Sequence, residues 1–168
     1  MKTLTIKQPY AEAIFHDIKH YIARKSVSKH RGWLAIHAAK AKVDNTDRMV
    51  FEHLVGNVSS KRSLLERYSS TSINYNYGKI IGIVEVLDCV ETTDVSREDR
   101  LLDDWSGSTH MFVLGKATRI DPVEISGKRG LWEWNDGSIN NQDAKNELPE
   151  KQGSMDGAIV EKDSNAME

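Results

Sequence analysis

Apolar and polar residues alternate at the start of the chain. Leu4 and Ile6 share one face of Thr3–Lys7, the period of a short strand. Gln8-Pro9 then opens a helix, because proline fits the first helical turn. On that helix Ala11, Ile14, Phe15 and Ile18 fall at i, i+3, i+4 and i+7, one apolar stripe, with Tyr10, Glu12, His16 and Asp17 largely off it. The stripe ends near Asp17–Lys19. Tyr21–Lys25 reads as a second strand and Ser26–His30 as a polar loop. Gly32–Ala39 is a third strand, apolar on both faces, the mark of a central position. Residues 44–56 and 60–68 read as helical or irregular, and Ser69–Asn76 as a Ser/Thr/Asn loop.

The strongest strand is Gly78–Val90, rich in Ile and Val and interrupted by Glu85. Thr92–Asp104 is charged, with a helical turn near Arg97–Leu102. His110–Gly115, Arg119–Val123 and Leu131–Trp134 are further short strands, punctuated by Gly115, Pro122, Gly127 and Gly130. From about Asn135 the periodicity fails. Residues 136–168 are polar and acidic and read as a disordered tail, leaving residues 1–135 as one domain. Short strands, one early helix and Gly/Pro turns predict an α+β fold, a small mixed β-barrel with a few short helices packed outside.

Charge changes the picture more than composition does. The 168 residues net −2, but residues 1–67 net +7, residues 68–142 net −5 and residues 143–168 net −4; five of six histidines also lie in the first segment. This excludes a uniformly basic nucleic-acid coat and leaves room for one basic face. The longest uncharged apolar run, Ile80–Val84, falls far short of the ~20 residues that span a membrane, and the first residues lack a signal-peptide apolar stretch. A cytoplasmic protein is expected. Cys89, the single cysteine, permits no internal disulfide and reads as a packing residue.

Four segments in order resemble the ASCH family of the PUA-like superfamily. They are Ile6–Ile14, with an aromatic after Pro9; Lys19–Arg24, at the place of a Lys-x-x-Glu-x-Arg element; Arg31–Ala39, close to an Arg-Gly-x-x-x-Ile-His strand; and Gly78–Val86, followed by Phe112–Leu114 and Gly130–Trp132. The match spans roughly residues 3–134. Two departures stand out: Ile22 replaces the usual carboxylate, and His16-Asp17 ends the helix where glycine is common. The resemblance implies a PUA-like barrel with a cleft between the first helix and the sheet, which holds RNA or a modified nucleobase. It also implies an alternative, a hydrolase acting on an acetylated cytidine-type nucleoside or on RNA.

The candidate residues follow. Lys7, Lys19, Arg24 and Arg31 are cations suited to phosphate, Lys as a point charge and Arg as a planar fork. Gln8 lies in the opening motif, and the resemblance implies a place for it in the nucleic-acid site. Tyr10 is either a stacking platform or a packing residue, and Trp33 reads rather as core. Lys25, Lys29, Lys40, Lys42, Lys61 and Arg62 widen the basic surface and fit backbone contact. Lys19 and Glu85 are the catalytic pair of the alternative reading: Glu85 lies in an apolar run where an unpaired charge is costly, and a lysine beside it would make a general base. His37 reads as a core histidine. His16 and His20 share metal spacing but lack the following glutamate, so neither a metal nor a cofactor is expected. Gly127–Gly130 reads as a basic turn, either one that touches phosphate or, rather, a plain hairpin. The expected partner is RNA or another single-stranded nucleic acid, or a modified nucleoside, with no membrane contact.

Overall fold

The computed structural model describes residues 1–56, 63, 75–102 and 107–135. Among them the strands are β1 (Lys2–Ile6), β2 (Tyr21–Arg24), β3 (Gly32–Ala38), β4 (Lys79–Glu91), β5 (His110–Glu124) and β6 (Leu131–Glu133). The helices are α1 (Tyr10–Phe15), α2 (Asn45–Gly56) and α3 (Arg97–Leu101), with a 3₁₀ turn at Thr92–Asp94. The chain is therefore mixed α+β. The readings for 60–68 (residue 63 apart), for 69–74 of the Ser/Thr/Asn loop, for 103–106 and for the tail 136–168 lie outside the described residues.

The six strands form one sheet in the order β2-β5-β4-β3-β1-β6. β1 and β3 run parallel, and the remaining pairs are antiparallel. The expected barrel is not closed. Closure needs the outer strands to hydrogen-bond to each other, whereas here the outer strands, β2 and β6, are four and three residues long and stand at opposite ends of the order.

A second correction concerns β5. His110–Gly115 and Arg119–Val123 are one fifteen-residue strand, not two. Register shifts against β4 absorb the punctuating residues as bulges. At Gly115 the neighbouring strand closes in, so that a Cβ there would meet Leu87 Cδ2 at 3.0 Å and Glu85 Oε2 at 3.1 Å. Pro122 lies beyond the stretch of β5 that β2 covers, on a free edge where a missing N–H leaves no ladder bond broken.

The core follows from alternation. Leu34, Ile36 and Ala38 of β3 face one side with Val84 and Val86 of β4, and Ala11 and Ile14 of α1 close over them. Full burial of a Leu or Ile side chain contributes about 1.5–3 kcal/mol, so this stripe is what holds α1 on the sheet. α1 ends where Asp17 adopts a left-handed φ of 60°, the position at which glycine is the usual choice. Asp17 tolerates it as a short polar residue, and its Oδ1 meets His20 Nε2 at 2.7 Å. A smaller cluster joins Ala13 and Ile18 to Phe51 and Val55 of α2 and to Leu102, with Tyr10 and Tyr75 against it. Asp44 caps α2 by accepting from the Asp47 amide at 2.7 Å.

Candidate nucleic-acid interface

The turn from β1 into α1 shapes the site. The Gln8–Pro9 peptide is cis, and the Gln8 side chain folds back so that its Oε1 accepts from the Glu12 amide at 3.0 Å. That bond fixes the orientation of the carboxamide. Its Nε2 is then a buried donor with no partner among the described residues, on a side chain only 4% exposed. Lys7, Gln8, Tyr10, Ile22, Arg24 and Asp47 line a cleft of about 510 Å³ between β1, α1, β2 and the first turn of α2.

Four of the six predicted binding residues thus converge: Lys7, Gln8, Tyr10 and Arg24. Arg24 lies over the Phe112 ring, its guanidinium carbon 5.2 Å from the centroid, and its Nε has no partner among the described residues. Burial pulls the Arg24 pKa below the usual guanidinium value, but an arginine so placed still carries its charge. Tyr10 is shared between cleft and core. Phe51 meets its ring edge-on at 5.5 Å, and Lys19 Nζ sits 5.7 Å from its centroid.

Lys19 and Arg31 do not join the cleft. Lys19 is 2% exposed and donates to the Leu102 carbonyl at 3.0 Å, so it serves as an anchor of the smaller core. Arg31 is an exposed residue that bonds the Ser28 and His30 carbonyls and pairs with Asp88 at 2.6 Å. Both positions carry a cation for which sequence reading expected phosphate. In each case tertiary contact supplies a protein partner instead.

Lys19 and Glu85 do not meet. Glu85 is paired with Trp33 across the β3–β4 ladder, between Val84 and Val86, which face α1. Alternation therefore puts Glu85 on the opposite face of the sheet from α1, whereas Lys19, just after α1, turns into the smaller core. Ile22, buried in the main core, gives the cleft an apolar wall where a polar partner would be needed. His16 and His20, expected on one helix, both lie beyond the end of α1 and part company: His16 lies 3.8 Å from Glu12, and His20 pairs with Asp17.

Sequence reading missed two features. Glu12 was placed off the apolar stripe, yet it is 2% exposed because Arg119 of β5 reaches across to it at 2.5 Å while stacking over Phe15. No local signal marks that pair, whose members lie 107 positions apart. Asp47 brings a carboxylate acceptor to the cleft from the first turn of α2, and nothing in the local sequence distinguishes it from an acidic residue that simply favours a helix start. Cys89 is half-exposed at the margin of the core rather than buried. Among the described residues no helix is long and apolar enough to cross a membrane. Neither a scan against protein-family models nor a search of curated proteins returns a match to this chain.

Proposed function

We propose that this chain is an ASCH-like nucleic-acid-binding module that holds single-stranded RNA, or a nucleobase splayed out of it, in the cleft beside α1. The observation that carries the reading is the convergence of Lys7, Gln8, Tyr10 and Arg24, with Asp47, on one cavity. Each supplies a different part of base recognition. Gln8 holds an unpaired amide donor just beneath the cleft wall, which a base carbonyl would satisfy once its cover shifts, and Asp47 an acceptor for an exocyclic amino group, the pairing by which carboxylates read cytosine N4. Lys7 and Arg24 meet phosphate without reading sequence. Ile22 and the exposed part of Tyr10 provide apolar surface for a base face. Unpaired bases suit such a cleft, because A-form grooves hide base edges from side chains.

The test is fluorescence anisotropy with labelled single-stranded and duplex RNA. Single strands are expected to bind at low salt and to weaken as salt rises, with a slope near −0.7 per phosphate contacted. Arg24→Ala and Gln8→Ala are expected to weaken binding, and Lys19→Met and Glu85→Gln to leave it unchanged. Absent or salt-independent binding overturns the reading.

A further inference from the structure

A second cavity, of about 590 Å³, adjoins the first and shares Thr5, Lys7 and Gly130 with it. Lys7, Lys40, Lys128 and Arg129 line it, and no carboxylate does. Several cations elsewhere are neutralised: Lys2 pairs with Glu133, Arg31 with Asp88, Arg48 with Glu52 and Arg119 with Glu12. Among the described residues no acidic side chain pairs with any of the four cations around this cavity. Like charges gathered on one concave wall raise its potential and draw anions into it.

The basic turn is held in place. The sequence admits either a plain hairpin or a phosphate contact at Gly127–Gly130, and the structure ties this turn to the sheet. His37 Nε2 bonds the Ile125 carbonyl at 3.0 Å, and since a carbonyl only accepts, this nitrogen carries the proton. Thr5 Oγ1 donates to the Lys128 carbonyl at 3.0 Å. Gly127 fits between them because it lacks a Cβ, which would overlap the His37 ring and lie 2.9 Å from Thr5 Oγ1. Gly130 takes a φ of 71°, turning the chain with open space about it where the two cavities meet. On the far wall the Lys40 stem packs against Gly78, where a Cβ would come within 3.3 Å. A turn fixed at this many points presents Lys128 and Arg129 at low entropic cost, which is what an anion subsite requires.

We infer that this second cavity is a phosphodiester subsite, so that the ligand is a strand of at least two nucleotides, with a base in the first cavity and a backbone phosphate in the second. The inference rests on the nucleic-acid reading above and specifies its ligand: a strand rather than a free nucleoside. Lys7, on the shared wall, contacts the phosphate that joins the two positions. Lys128 and Arg129 hold the next, Arg129 through its planar fork.

The experiment compares a six-nucleotide single-stranded oligocytidylate with cytidine, by calorimetry and anisotropy across a salt series. The proteins are the full chain, Lys128→Ala/Arg129→Ala, and Lys25→Ala/Lys29→Ala, which removes two exposed cations outside both cavities. The turn variant is expected to lose about tenfold or more in oligomer affinity at low salt and to reduce the salt slope by about 1.4, two contacts at ~0.7 each. Cytidine binding should not change. Lys128→Gln/Arg129→Gln, which keeps the side-chain stems, should behave alike. A turn variant no weaker than the Lys25/Lys29 control overturns the subsite and leaves the cleft reading standing. Loss of cytidine binding in the turn variant overturns the division into two subsites. Failure of the full chain to bind the oligomer at low salt overturns both readings together.

Discussion

Gly82 shows how a single atom sets a packing distance. A Cβ there would sit within the Phe15 ring and 2.6 Å from the Thr118 carbonyl, which is backbone and cannot swing away. Gly82→Ala is therefore expected to lift α1 from the sheet and lower stability by about 1–3 kcal/mol in chemical denaturation. The Glu12–Arg119 pair makes a second, asymmetric case. Glu12 is almost wholly buried, whereas the Arg119 side chain is 45% exposed. Removing Arg119 strands a charge in the core; neutralising Glu12 leaves a guanidinium that water can reach. Arg119→Ala should cost on the order of 2 kcal/mol, discounted for solvent screening, and more than Glu12→Gln. Equal losses in urea titration would mean that the pair acts through shape rather than charge.

At the scale of elements, the loop leading into β3 carries a titration. Burial pulls the His30 pKa below the ordinary imidazole value, helped by the nearby cations Lys2 and Arg31, and only partly opposed by a backbone hydrogen bond with Trp33 and the charge of Glu133. Its Nε2 has no partner among the described residues, and its ring lies edge-on to Phe112 at 6.4 Å. The sign follows from linkage. A base whose folded pKa is depressed binds protons more readily when unfolded, so its contribution is present above the unfolded pKa and is lost as pH falls below it. The melting temperature should decline as pH is lowered from about 7 to about 5, around the ordinary imidazole pKa of ~6.5. His30→Asn should flatten that decline. Asp88 and Glu133 carry lowered carboxyl pKa values, through the Cys89 amide and Arg31 for the first and through Lys2 for the second, and they act in a more acid range. The two effects are therefore separable along one pH series.

At the scale of the whole molecule the net charge of −2 divides: residues 1–135 net +3, and the acidic remainder supplies the difference. Charge of one sign steers ligands over distances comparable with the Debye length, ~10 Å at 0.1 M salt. A chain ending at Asn135 keeps the Met1–Trp134 backbone bonds that close β1 on the C-terminal side of β6. It is expected to bind single-stranded RNA more tightly than the full chain at low salt, with the difference vanishing at high salt. Equal affinities at low salt would show that the acidic segment does not act on the basic face.

Much of the fold was legible locally. The period of two in β1, the helical stripe of α1 and the apolar runs of β3 and β4 each announce an element, because burial of one face needs only near neighbours to be read. The two halves of β5 were read apart because Gly115 and Pro122 look like terminators, while the bulges that absorb them depend on β4. The site was legible only in part for the same reason. The β1–α1 turn places Lys7, Gln8 and Tyr10 within four residues, so sequence order alone puts them together, and Arg24 follows from the short edge strand. Lys19 and Arg31 look no different in the sequence from cations that bind phosphate; what decides their role is a carbonyl at Leu102 and a carboxylate at Asp88, 83 and 57 positions away.

By itself the sequence determined most of the elements, the basic character of the first 67 residues and the residue types that could meet a nucleic acid. Tertiary structure alone decided that the sheet stays open, that Glu85 and Lys19 lie apart, and that Lys40, Lys128 and Arg129 surround one cavity beside the cleft. The physical reason is that side-chain chemistry and short-range periodicity are properties of neighbouring residues. Convergence and neutralisation depend on which distant groups the sheet order brings within a few ångströms.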